Sequence, residues 1–175
     1  MVRTTQERIC MIRSLFSLIL IAFSFGVLYA QPKDTCLYDP GINAMVQIDQ
    51  AISQAAKESK HVLIQVGGNW CPWCIKLHQF IEQHQTLDSL IRADYILIHV
   101  NCSKDNKNPE AMSRLEFPQR FGFPVFVILN AEGKRLHTQN TAYLEEGELY
   151  SEVKFAEFLK AWNRNALDPT RYSIE

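Results

Sequence analysis

The sequence predicts an α/β fold: a central mixed sheet of about four to five strands, flanked by helices on both faces. Three observations lead there. Residues 62–66 (VLIQV), 95–100 (YILIHV) and 125–129 (VFVIL) are nearly continuous apolar runs rich in β-branched residues, the pattern of strands covered on both sides. Stretches with apolar residues at spacings of three and four alternate with them, as helices do. Residues 130–134 (NAEGK) read as a tight turn with Gly133 where positive φ is needed, so the strand that follows should return antiparallel.

The first thirty residues stand apart. Arg3, Arg8 and Arg13 precede the uncharged run 15–28 (LFSLILIAFSFGVL), and Ala30 follows, which is the layout of an export signal peptide over residues 1–30. The run is shorter than the roughly 20 residues a helix needs to cross a bilayer. An uncleaved anchor and a buried helix are the alternatives. Residues 31–41, with Pro32, Pro40 and Gly41, read as an N-terminal arm.

Met45, Ile48, Ile52, Ala55 and Ala56 predict a helix over 42–59, and Lys60 and His61 a polar break before the first strand. Residues 67–69 (GGN) end that strand. Trp70, Cys71, Pro72, Trp73 and Cys74 then open a second helix, with Cys74, Leu77, His78 and Ile81 on one face. A short helix over 87–93, the second strand, a polar loop at 102–110 and a weak helix over 111–121, broken near Pro118, come next. Helices join the first two strands, so these should be parallel neighbours. After the third strand, residues 135–138 return and 139–150 form a polar loop. Ser151 is placed to cap a last helix to about residue 163, with Val153, Phe155, Phe158, Leu159 and Trp162 on its apolar side. Residues 167–175 are a C-terminal tail.

With 175 residues, 47% apolar and 21% charged, the chain has the make-up of one globular domain with extra segments. The net charge of -1 and the lack of a basic stripe interleaved with aromatics argue against nucleic acid as a partner. Export would leave Cys36, Cys71, Cys74 and Cys102 in an oxidising compartment, where cysteines can pair.

A Cys-x-x-Cys pair at a strand-to-helix junction has a specific use. Cys71 falls at the helix N-terminus, where unpaired N–H groups and the helix dipole stabilise negative charge and favour the thiolate. It would attack a substrate disulfide, and Cys74, one turn on, would resolve the mixed disulfide. Pro72 suits the first helical turn because the N–H it lacks would have no partner there. Structural zinc needs four ligands, and the single pair, with His61, His78, His84, His99 and His137 scattered, does not supply them. Residue 75 is Ile rather than His, which argues against covalent haem. The cofactor expectation is therefore none beyond a redox-active Cys71–Cys74 disulfide. A purely structural disulfide is the rival.

Residues 62–76 (VLIQVGGNWCPWCIK) resemble the thioredoxin-like family in their order of strand, small residues, Trp, Cys-x-x-Cys and helix. Residues 122–125 (GFPV) resemble the same family's cis-proline segment. The resemblance covers about residues 42–166 and implies a thioredoxin-like domain there. It implies that Pro124 is cis and faces the cysteines. It also implies that the backbone of Phe123 pairs with an extended substrate peptide. Trp70, Pro72, Trp73, Phe123 and Pro124 are the substrate-binding candidates. Where many thioredoxins carry a buried acidic residue, this chain has Gln65, which cannot titrate, and His99 is a candidate base or a partly exposed strand histidine. The Pro-Trp dipeptide between the cysteines also departs from the common Gly-Pro. Cys36 and Cys102 are candidates for a second disulfide tying the arm to the domain, with Cys102 as a plain buried thiol the alternative.

These readings converge on an exported thiol-disulfide oxidoreductase, periplasmic or secreted, acting on protein or peptide disulfides as a monomer. A reductase there would draw electrons from a membrane-bound thiol carrier. The competing reading is a peptide-binding module whose Cys71–Cys74 disulfide is structural.

Overall fold

The computed structural model describes residues 36–172; residues 1–30, read as an export signal, residues 31–35 of the arm and residues 173–175 lie outside them. The elements run α1 (Ala44–Glu58), β1 (His61–Gly67), α2 (Pro72–Gln83), α3 (Gln85–Asp94), β2 (Tyr95–Asn101), α4 (Pro109–Arg114), β3 (Val125–Leu129), β4 (Arg135–Asn140), β5 (Glu145–Glu146), β6 (Leu149–Tyr150) and α5 (Glu152–Ala161). Four strands form one mixed sheet in the order β2-β1-β3-β4. β1 and β2 are parallel, with Gln65 beside His99, whereas β1–β3 and β3–β4 are antiparallel. Gly133 takes φ 79° in the turn between β3 and β4.

Side-chain alternation along β1 divides the interior. Val62, Ile64 and Val66 pack with Ile48, Ala51 and Ala55 of α1. Leu63, on the other face, packs with Leu77 and Ile81 of α2, Leu87 and Ile91 of α3, and Phe155, Phe158 and Leu159 of α5. Helix α1 starts where the Asn43 side chain accepts the amides of Met45 and Val46, and stops at Ser59 in the left-handed conformation.

Several local expectations need correction. His61 is no polar break: it is the first residue of β1 and is buried. Residues 139–150 are not one loop. β4 continues to Asn140, a 3-10 turn covers Thr141–Leu144, and β5 pairs with β6. Val153 is exposed, because it sits two residues, or about 200° of helical rotation, from the buried Phe155. Ser151 holds the N-cap position of α5 without a side-chain cap bond.

The arm is also more than a linker. Tyr38 is fully buried and packs with Cys71 and Cys74. Asn69 clamps its backbone from both sides: the Tyr38 amide donates to Asn69 Oδ1 at 3.1 Å, and Asn69 Nδ2 donates to the Tyr38 carbonyl at 2.7 Å. On the other flank, Asn106 Nδ2 donates to the Pro40 carbonyl at 2.8 Å. That ties the arm to the polar loop after β2.

Candidate active site

Strand β1 ends at Gly67, and a short turn delivers Cys71 to the N-terminus of α2. Cys71 is the N-cap residue: its Sγ accepts the Cys74 amide at 3.2 Å, with Pro72 next in the first turn. Cys71 and Cys74 form a disulfide with their Cα atoms 5.3 Å apart. Cys74 is fully buried, whereas Cys71 keeps 4% of its surface exposed, so what access there is lies on the first sulfur.

Aromatic residues frame the pair. Trp73 meets Tyr150 edge-to-face at 5.6 Å, with Lys76 Nζ 4.7 Å from its ring. Trp70 is 55% exposed, meets Phe123 edge-to-face at 5.4 Å, and donates its Nε1–H to the Cys102 carbonyl at 3.2 Å. Gly68 makes room for this, since a Cβ there would strike the Trp70 indole. The Phe123–Pro124 peptide bond is cis. Pro124 is buried, and Phe123 packs on the cluster of Tyr38, Cys71 and Cys74. Beyond Trp70 and Phe123 opens an apolar groove of about 810 Å³, walled by Cys102, Met112 and Phe117 with Lys104 and Lys107 at its polar side.

The structure thus brings Trp70, Cys71, Pro72, Trp73, Cys74, Phe123 and Pro124 into one neighbourhood. Cys36 and Cys102 are not paired: both are free thiols. Cys36 Sγ donates to the Tyr38 carbonyl and receives Asn69 Nδ2, each at 3.1 Å, so hydrogen bonds rather than a bridge hold that end of the arm. Burial pushes the Cys102 thiol above its ordinary pKa.

Beneath Cys74 lies a polar cluster of which the sequence singled out Gln65 and His99 but not Tyr38. Gln65 is fully buried, and its Nε2 donates to Tyr38 Oη at 2.6 Å and to the Cys74 carbonyl at 3.1 Å. The His99 ring meets Tyr38 at 5.5 Å and His78 at 5.3 Å, both edge-to-face. Burial first, and then His78, pushes the His99 pKa down to about 4. His99 is therefore a neutral imidazole at pH 7, with a buried Nε2 that makes no hydrogen bond. Pattern alone gives no hint that an aromatic in a Pro/Gly arm belongs here.

Gly67 is the tightest point of the site. A Cβ on it would lie 2.5 Å from Cys74 Sγ and 2.8 Å from Tyr38 Oη. Gly67→Ala is expected to destabilise the oxidised protein by about 1–3 kcal/mol, because neither atom can retreat in a packed interior. Urea denaturation of the oxidised protein would check this; an unchanged midpoint would count against the crowding.

Fold and site together define a thioredoxin-fold protein with an internal Cys-x-x-Cys disulfide at a helix N-terminus. The chain belongs to the family of thioredoxin-like domains, whose sequence profile matches residues 48–157. The disulfide bond reductase DsbH of Chlamydia pneumoniae is 28% identical over 93 residues, 50% of this chain and 56% of DsbH. The chain thus spans about half the length of the curated relative it matches. Among solved structures, a disulphide isomerase from Xylella fastidiosa Temecula1 superposes with TM-score 0.62 at 24% identity, over 70% of this chain and 93% of that one. A DsbH oxidoreductase gives TM-score 0.50 at 24% identity, over 65% and 79%. At these identities the structural likeness concerns the fold.

Proposed function

We propose that this protein is a thiol-disulfide oxidoreductase that reduces disulfides of other proteins outside the cytoplasm. The observation that carries the reading is the Cys71–Cys74 disulfide with Cys71 as helix N-cap, beside the cis Phe123–Pro124 bond. In the reduced enzyme the Cys71 thiolate, favoured by the N-terminus of α2, attacks one sulfur of the substrate disulfide. A Cys71–substrate bond forms as the substrate S–S bond breaks. Cys74 then attacks Cys71 Sγ, the substrate leaves as a dithiol, and the enzyme is left oxidised. Phe123 and Pro124 present backbone to an extended substrate segment, while Trp70 and Trp73 supply apolar contact.

The reducing direction is supported by the relative named a disulfide bond reductase. Export is supported by the basic and apolar layout of residues 1–30. In that compartment a membrane-bound thiol carrier would return the enzyme to its reduced state. The test is equilibration of the Cys71–Cys74 pair with glutathione buffers. A potential near or below about -250 mV is expected for a reductase, and one above about -180 mV would indicate an oxidase or isomerase. Cys74→Ala is expected to trap Cys71–substrate mixed disulfides, visible as bands lost on reduction. If the pair never cycles, the protein is a binding module with a structural disulfide.

A further inference from the structure

We propose that Tyr38, on the N-terminal arm, is a further residue of the redox centre: its hydroxyl is the hydrogen-bond donor to the Cys74 sulfur once the disulfide is open. The inference rests on the oxidoreductase reading and deepens it.

Four observations lead to it. Tyr38 is 0% exposed and shares one buried cluster with Cys71 and Cys74. Its Oη and Cys74 Sγ border the same small space over Gly67, 2.8 and 2.5 Å from where a Cβ would sit. Asn69, two residues before Cys71, holds both backbone groups of Tyr38, so the ring is fixed relative to the active-site turn. Finally, Tyr38 Oη already accepts a hydrogen bond from Gln65 Nε2 at 2.6 Å, while its own O–H donates no hydrogen bond to the described residues. A buried hydroxyl proton without an acceptor is costly, so a new acceptor beside it will be used.

Reduction creates that acceptor. Resolution starts when the Cys74 thiol gives its proton to solvent base. The thiolate attacks Cys71 Sγ, the Cys71–Cys74 bond forms, the Cys71–substrate bond breaks, and the substrate thiolate leaves and takes a proton from solvent. Two electrons pass from the cysteine pair to the former substrate disulfide. In the interval Cys74, which has no exposed surface in the disulfide form, carries a negative charge, a state that needs a donor. The neighbouring titratable groups are Cys71, His78 and His99, with Tyr150 felt by Tyr38. His99 is held neutral, and Cys71 is the sulfur under attack. Burial pushes the Tyr38 phenol far above its ordinary value, so it stays protonated while a thiol titrates and acts only as a donor.

The test uses the full chain with Cys71→Ser, which leaves Cys74 as the one thiol of the centre. Its titration is followed by NMR of ¹³Cβ-labelled cysteine. Adding Tyr38→Phe keeps the ring and its packing but removes the donor, and about tenfold less Cys74 thiolate is expected at a given pH. Incorporating 3-fluorotyrosine at position 38 keeps the hydroxyl and strengthens it as a donor, so more thiolate is expected. Because that side chain is nearly isosteric with Tyr, the test survives if Tyr38→Phe fails to fold. Identical Cys74 titrations across the series would overturn the inference and leave Tyr38 as packing. Failure of the oxidoreductase reading shows elsewhere, as a wild-type pair that does not cycle in glutathione buffers.

Discussion

Replacing Cys71 by Ser is expected to reduce the proposed disulfide-reductase turnover by about a thousandfold or more while leaving the fold intact. The fold should persist because a Ser at this position can accept the Cys74 amide as the sulfur now does, and Ser is a favoured N-cap. The chemistry should vanish because a hydroxyl does not attack a disulfide near neutral pH and, among the described residues, no other thiol caps the N-terminus of a helix. Cys74 is fully buried. Cys102 sits in the adjoining groove, but its raised pKa leaves it with little thiolate. Insulin reduction with dithiothreitol as electron source, compared with the uncatalysed rate, measures the loss, and thermal unfolding followed by circular dichroism checks the fold. Retention of a tenth or more of the activity would show that the nucleophile lies elsewhere.

Mild acid is expected to destabilise the protein through His99. Its folded pKa is pushed down to about 4, whereas an unfolded His titrates near 6.5. Between those values the unfolded chain binds a proton that the folded protein does not, so stability is full above about pH 6.5 and falls as the pH drops through that window. By pH 5 the loss is about 2 kcal/mol, and it approaches about 3 kcal/mol near pH 4. His61, also shifted down, chiefly by burial and then by Arg164, acts in the same direction. The carboxylates with lowered pKa values, Glu58, Glu116 and Asp168, start from ordinary values below 5 and stay ionised over the upper part of this range. Urea denaturation at pH 7.5 and pH 5, repeated on His99→Gln, is the measurement. An unaltered pH dependence in the variant would mean the His99 imidazole is not the sensor.

The sheet was legible because its strands carry strong patterns. The run 125–129 reads as a strand in sequence, and β3 has those same bounds. The parallel β1–β2 pair follows from the helices between them, and the cysteine pair stands out at its junction. What escaped detection is what depends on long-range placement. Tyr38 looks like any aromatic in a Pro/Gly segment until Asn69, thirty-one positions away, clamps it. Gln65 reads as a missing carboxylate, but its amide joins Tyr38 to the Cys74 carbonyl, a link between three segments that no periodicity encodes. The Cys36–Cys102 bridge failed for the same reason: two available cysteines say nothing about whether their Cβ vectors meet. Residues 139–150 hid a β-pair because two-residue strands are too short for alternation to show.

The clamp between Asn69 and Tyr38 bears on how the protein comes into being. The redox centre is stitched from three stretches far apart along the chain: the arm, the junction of β1 with α2, and the Phe123–Pro124 bend. Closing such distant loops costs entropy that local helices do not face, so contacts of this kind form late in folding. During synthesis Cys71 and Cys74 emerge well before Phe123 does. Under the proposed function, the nascent chain therefore carries its two cysteines before it carries the Phe123–Pro124 bend that would meet a substrate.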